Sequence, residues 1–400
     1  MQILVPLWLR EPSDYLQFSV FWATTFLLVS MLSGLQQEIS RAVSPHPPDG
    51  RQPGGPDSRQ PGRVLLSAGG IVVLGIVLIL PLTSLIWGKQ LFPDSNTWLV
   101  SAMVLALAGY VMIAVLSGEL YGLERYGFAS ATTIVDAVLR AVLVIGVLTI
   151  GMGLVPVAFA VALPFGVAAI TVWALSRRAV NGRYSIDVSL RQLLGNSVQT
   201  MAAALATGVL ISGLPMILRL TSSSLGDETL AALLLALTLT RAPLVVPLLA
   251  LQSYLTVSYR NSPDLAVRRA LYLAGGVLLV CVGVAALVWV FGHRILYAIY
   301  GDAFALDGRS LALVVFSGGA TAALCVVAPA LLAKGKHSQF LLGWASAAGT
   351  TIALLLIFGQ TLFGAILAIA GGPMVGALVC IFLIGNPVQG ANPESVTIKK

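Results

Sequence analysis

The stretch that decides the fold is LTLTRAPLVVPLLALQSYL, Leu237 to Leu255. It is dominated by leucine, valine and alanine, yet it holds a permanent cation, Arg241, and two prolines, Pro243 and Pro247. A run this apolar and this long belongs in a bilayer, where about 20 residues of helix cross roughly 30 Å of hydrocarbon. An arginine at the centre of such a helix costs about 2.5–3.5 kcal/mol on insertion scales, so it needs a compensating environment. Proline has no amide hydrogen, so Pro243 and Pro247 deprive the carbonyls of Leu239 and Pro243 of their helical donors. At about 100° per residue, Thr238, Arg241 and Gln252 fall within roughly 60° of one face. A polar stripe on an oily helix with weakened hydrogen bonding is expected to face a cavity or another helix, with the two prolines as hinge positions.

The rest of the chain fits that reading. Of its 400 residues, 58% are hydrophobic and only 10% are charged, where soluble chains carry about 25%. Eleven apolar segments are long enough to span, at about 16–35, 64–87, 98–117, 130–150, 155–176, 194–220, 229–257, 270–292, 310–333, 338–358 and 362–384. No strand-period alternation competes, and lipid demands an internally satisfied backbone, so the expected fold class is all-α, a polytopic membrane protein. Cys281, Cys325 and Cys380 sit singly inside apolar segments, with no disulfide or metal spacing.

Charge sets the expected topology. Loops on one side of the eleven segments, with the C-terminal tail, carry 16 of the 23 Lys and Arg, and the other side carries 5. Arg140 and Arg241 lie within segments. That bias predicts a cytoplasmic C-terminus and an N-terminus outside. With an odd number of segments, it leads to the expectation that a further helix precedes the first one read here. The +7 balance is therefore topological, and no nucleic-acid partner is expected.

Two polar regions interrupt the rhythm. Ser44 to Arg63, SPHPPDGRQPGGPDSRQPGR, is rich in Pro and Gly and is expected to be disordered. The second, 177–193, is a linker. The domain reading is a leader at 1–15, a first helical bundle at 16–176, the linker, a second bundle at 194–385 and a tail at 386–400. With one more helix at the start, this is six plus six, the arithmetic of a duplicated transporter around a central cavity.

A second intramembrane arginine, Arg140, follows Asp136 by four residues in ATTIVDAVLRAVLV. The acid precedes the base, the favourable order for a helical ion pair. Such a pair either makes Arg140 tolerable or serves as a switch that an arriving anion opens. No nucleophile–base pair, phosphate-cradling glycine loop or metal cluster is present, so no enzyme activity and no cofactor are expected. The spacing of Asp302 and Asp307, with Gly301 and Gly308 beside them, reads as a turn.

Several stretches carry a family resemblance. SGELYGLERYGFASATTIVDAVLRAVLVIGVL resembles the third-to-fourth helix region of Wzx-like polysaccharide exporters of the multidrug/oligosaccharidyl-lipid/polysaccharide (MOP) exporter superfamily. YAIYGDAFALDGRSLALVVFS resembles the turn before one of their late helices, and LTRAPLVVPLLALQSYL looks like the eighth helix of actinobacterial members. DYLQFSVFWATTFLLVSMLSGLQQEISRAV looks like their second helix. The resemblance implies a multi-pass protein of the bacterial plasma membrane that flips isoprenoid-pyrophosphate-linked oligosaccharide for cell-surface polysaccharide biosynthesis. It implies a lipid-linked anionic substrate and a partnership with polysaccharide polymerase or glycosyltransferase machinery. Arg241, in the matching helix, is the pyrophosphate ligand the resemblance implies most readily, with Arg140 after it; Asp136 joins the site through its spacing from Arg140. The alternatives are a drug or small-cation antiporter of the same fold, or a non-transporting scaffold.

Overall fold

The computed structural model describes residues 2–9, 11–45, 61–180, 184–186, 188–261 and 263–385. The chain opens with α1 (Pro12–Ala42), whose proline stands in the first turn, where its missing amide hydrogen costs nothing. Next come β1 (Val43–Pro45), α2 (Pro61–Leu91), α3 (Asn96–Gly122), α4 (Tyr126–Ile150) and α5 (Leu154–Val180). Then follow β2 (Tyr184–Ile186), α6 (Leu190–Ile211), α7 (Leu214–Thr221), α8 (Asp227–Ala250) and α9 (Gln252–Arg260). The chain continues through α10 (Pro263–Tyr300), α11 (Gly308–Val327), α12 (Pro329–Ala333), α13 (His337–Phe358) and α14 (Leu362–Gly385).

Among the described residues, eleven helical spans are long and apolar enough to cross a membrane, the same number as the apolar segments of the sequence. The fold is all-α and multi-pass. Among the described residues the one sheet is β1 paired antiparallel with β2, Val43 opposite Ile186 and Ser44 opposite Ser185. Ser44 and Pro45 thus leave the expected disordered loop for a ladder, and Pro61, Gly62 and Arg63 join α2. The remainder of that loop, 46–60, lies outside the described residues.

Local chemistry explains the ends of several helices. Gly151 takes the left-handed conformation (φ 73°) that closes α4. Ser189 and Gln192 form a capping box at the start of α6. Segment 194–220 is split where a single helix was read, because Pro215 cannot donate to the Ile211 carbonyl. The amide of Gly213 bonds instead to the carbonyls of Gly208 and Val209, both at 3.1 Å. Pro329 imposes the same kind of break between α11 and α12. Segment 229–257 also divides: α8 passes through both Pro243 and Pro247 and stops at Leu251, before α9.

The helices gather into two compact units. Unit 1 comprises Met1–Thr238, His293–Leu306 and Leu355–Ala365. In it α1 packs against α3 and α6, and α5 against α3 and α4. Its core is aromatic and branched, with Tyr15, Phe18, Phe21, Leu35 and Ile39 sealed from solvent. Close approach of α1 to α6 depends on Gly34, where an added Cβ would strike the backbone of Thr200 and Met201. Unit 2 comprises Leu239–Gly292, Asp307–Leu354 and the chain from Ile366. In it α11 is buried without break from Ser317 to Val327, and α9 lays Tyr259 against it, its hydroxyl donating to the Val326 carbonyl. Division at the 177–193 linker follows chain order. The compact units follow contacts, which place α6 and α7 in unit 1 and divide α8 between Thr238 and Leu239.

Candidate functional site

Arg241 leaves α8 within unit 2 and lies against α11. Its Nη2 donates to Oγ1 of Thr321 at 3.3 Å. That hydroxyl passes its own hydrogen to the carbonyl of Ser317 at 3.1 Å, so it has a lone pair to offer the guanidinium. Ser317 in turn donates to the Val314 carbonyl at 2.7 Å. Ser317 and Thr321 are both fully buried. Between them Gly318 lies beside the arginine stem, where a Cβ would make ordinary contacts with Arg241 Cγ at 4.0 Å and Leu244 Cδ1 at 3.5 Å. A partly buried cation thus rests on small residues, the packing that lets membrane helices approach closely. Thr321 stands 80 positions from Arg241 and was not singled out in the sequence. The available signal was the small-residue run SGGATAA at Ser317 to Ala323.

Gln252 opens α9 in the same unit, and its Nε2 is buried with no hydrogen-bond partner among the described residues. Because the helix is interrupted at Leu251, the face shared by Thr238, Arg241 and Gln252 is not the face of one continuous helix. Thr238 belongs to unit 1, where its hydroxyl donates to its own helix at the Leu234 carbonyl, 2.8 Å away.

Asp136 and Arg140, both in unit 1, meet as the spacing requires. Arg140 Nη2 donates to Asp136 Oδ1 in an ion pair. The structure adds an aromatic setting: the guanidinium carbon lies 4.1 Å from the Phe165 ring centroid and 5.2 Å from that of Phe26. Tyr110 meets Phe165 edge-on at 5.6 Å, and Trp22 stacks on Phe26 at 4.5 Å. Such a cation–π contact contributes about 0.5–2 kcal/mol. Phe18, Trp22 and Phe26 recur every fourth residue, a one-face aromatic pattern that was legible in α1. Arg140 and Arg241 therefore sit in different compact units, each with its own surroundings. Asp307 caps α11, accepting from the amides of Arg309 and Ser310, both at 3.1 Å.

A cavity of about 560 Å³ lies within unit 1 between α1, α2, α3, α6 and α7, and its lining is almost entirely apolar.

Comparison with known proteins follows this geometry. No family model matches the chain. It is 29% identical over 377 residues to an uncharacterized protein of Mycobacterium tuberculosis, covering 91% of this chain and 83% of that protein. A second uncharacterized protein of the same species is 28% identical over 377 residues, covering 92% and 84%. Among solved structures, it is similar to an inward-facing multidrug resistance MATE family transporter of the MOP superfamily. The TM-score is 0.72 at 17% identity, covering 96% of this chain and 92% of the other. An outward-facing MATE structure gives a TM-score of 0.56 at 17% identity, over 96% and 90%. The chain has the fold of the MATE transporters of the MOP superfamily.

Proposed function

We propose that this protein is a membrane transporter that flips isoprenoid-pyrophosphate-linked oligosaccharide across the plasma membrane for cell-surface polysaccharide biosynthesis. The observation that carries the reading is the guanidinium of Arg241, held inside a membrane-spanning helix beside Thr321. An ionisable side chain inside a membrane-spanning helix is costly and by default points to a functional site. A guanidinium suits a diphosphate. It donates paired hydrogen bonds, keeps its charge at any working pH and is less strongly hydrated than an ammonium. The MATE-like fold and the sequence resemblance to Wzx-like exporters supply the transport mode. In that mode the head group is taken up on the cytoplasmic side and released outside, while the lipid tail stays at the depth of the hydrocarbon layer. The proposed partners are the lipid-linked anionic oligosaccharide, the bilayer itself and the polymerase or glycosyltransferase machinery that makes and consumes the substrate.

The second reading is drug or small-cation antiport, favoured by the multidrug transporters among the similar structures. Cation export centres on an available carboxylate. Asp136, within α4, is instead engaged by Arg140. Glu38, buried in α1, is held by Arg41 and Asn196.

The deciding experiment uses purified protein in liposomes loaded with isoprenoid-pyrophosphate oligosaccharide, with head-group exposure followed over time. Faster exposure than in protein-free liposomes, lost in Arg241→Ala and partly kept in Arg241→Lys, is the expected result. Exposure at the protein-free rate overturns the reading. Dissipation of an ion gradient on adding an organic cation selects antiport.

A further inference from the structure

We infer that the apolar cavity of unit 1 is a slot for the hydrocarbon tail of a long-chain isoprenoid lipid. This inference rests on the proposed function and names the second half of its substrate.

The lining follows one face of α2. Val72, Ile76, Ile79, Thr83, Trp87 and Leu91 recur at three- and four-residue spacing. From Val72 to Leu91 is 19 residues, about 28 Å at 1.5 Å per residue. The slot therefore runs nearly the full depth of a hydrocarbon core of about 30 Å. An acyl chain of an ordinary phospholipid occupies its own leaflet, about 15 Å of that depth. Only a chain longer than one leaflet fills the slot from end to end.

The chemistry of the wall favours an apolar occupant. Two hydroxyls line the cavity, and both are turned back to their own helices. Thr24 donates to the Val20 carbonyl at 2.7 Å. Thr83 donates to the carbonyls of Ile79 at 2.9 Å and Leu80 at 3.1 Å. Both hydroxyls keep only acceptor lone pairs and the Trp87 indole adds one N–H, so the lining is poor in the two or more polar partners that a retained water needs. A space among apolar walls in lipid is stabilised by filling it with hydrocarbon, through dispersion contacts its lining otherwise lacks. Met31, Met201 and Met216 supply flexible, polarizable wall, suited to a methyl-branched chain of irregular outline.

The slot also has an entrance. Ile79 lines it and is 61% exposed, on a helix whose neighbouring Leu74 and Leu78 are exposed in turn. A lipid chain reaches the space sideways along α2 without passing through water. Gly75 lies near the Val72 end of the lining, and a Cβ placed there meets nothing within 4 Å. Its missing side chain is width given to the slot. The same openness makes it the place to plug. Gly70, on the same helix and outside the lining, is equally unobstructed and serves as the matched control.

The test uses the full chain in lipid nanodiscs with two photoreactive probes: a long-chain polyprenyl phosphate with a diazirine at the tail end, and a palmitoyl phosphatidylcholine with a diazirine on one chain. The polyprenyl probe is expected to label α1 and α2 peptides that line the slot. Labelling should fall about tenfold in Gly75→Trp, the loss when about two buried methylenes are denied their place. It should be unchanged in Gly70→Trp, and the palmitoyl probe should label the slot no more than it labels the outer face of α10. Equal slot labelling by both probes, or labelling insensitive to Gly75→Trp, overturns the inference. If the labelling pattern is found while liposomes show no head-group movement, the transport reading falls and the slot stands. If Gly75→Trp moves the head group at the wild-type rate and slot labelling is absent in the wild type, the slot falls alone.

Discussion

The guanidinium carbon of Arg140 lies 4.1 Å from the centroid of the Phe165 ring. The same guanidinium is paired with Asp136 one turn earlier on α4, so one side chain ties α4 to α5 and, through Phe26, to α1. α4 is otherwise lightly held, with few buried positions along its length. Removing either charge strands the other in a low-dielectric setting, which costs about 3–5 kcal/mol for buried pairs. Asp136→Asn and Arg140→Gln are each expected to lower the unfolding temperature of detergent-purified protein clearly. The double variant is expected to lose less than the sum of the two, with a coupling of about 0.5–3 kcal/mol. Additive losses would show that the pair contributes nothing as a pair.

Thr321 offers a cleaner probe of the α8 site than the arginine itself. Thr321→Val keeps the shape and removes the acceptor that Arg241 Nη2 uses. The guanidinium keeps its charge but loses an anchor that orients it. Expression and unfolding temperature are expected to stay near wild type. Head-group exposure in liposomes should slow about tenfold, the effect of a charge-assisted hydrogen bond of about 1.5–3 kcal/mol only partly replaced. Thr321→Ser, which restores the hydroxyl, should recover most of the rate. A threonine acting only in packing would give the same result for valine as for wild type.

Helix contact in unit 2 makes a third prediction. A Cβ on Gly343 of α13 would collide with Sγ of Cys380 on α14, while Cβ of Cys380 would stand 3.9 Å away. Gly343→Ala is therefore expected to destabilise by about 1–3 kcal/mol through overpacking. Cys380→Ala removes the sulfur and leaves the ordinary contact, so the double variant Gly343→Ala/Cys380→Ala should unfold at a higher temperature than Gly343→Ala alone. Failure of that rescue would place the strain elsewhere.

What could be read in advance, and what could not, divides along physical lines. Eleven spans were legible because lipid leaves a helix as the only open structure a chain can adopt there. The Asp136–Arg140 pair was legible because it is local, fixed by a four-residue spacing. Thr321 was not legible as a neighbour of Arg241, and neither were Phe165 and Phe26 as neighbours of Arg140. α3 and α14 show why: they are apolar on every side, so nothing in their residues marks which face meets protein and which meets lipid. The break after Ile211 was not read, although Gly213 and Pro215 carry its signal. The break at Leu251 falls four residues beyond Pro247, and the intact α8 before it shows that the prolines did not by themselves end the helix.

Asp307 supplies the prediction that depends on pH. Its carboxylate caps α11 from an exposed position outside the spanning segments. Burial is the largest single influence on its pKa and pushes it up. Hydrogen bonds from Ser310 and from the backbone of Arg309 outweigh that and hold it below the ordinary aspartate value. A depressed folded pKa means the cap's contribution is fully present above the unfolded aspartate pKa of about 3.9, and is lost as pH falls through the folded value. Asp307→Ala should cost about 1 kcal/mol near neutral pH, the usual worth of an N-cap. The gap between wild type and Asp307→Ala in unfolding temperature should narrow as pH is lowered from about 5 towards 3, because protonation removes the charged acceptor in the wild type as well. Asparagine caps without ionising, so Asp307→Asn should keep most of the stability and show a gap to alanine that does not vary over that range. A wild-type advantage that grew on acidification would mean the protonated acid, and not the carboxylate, is the form that holds the start of α11.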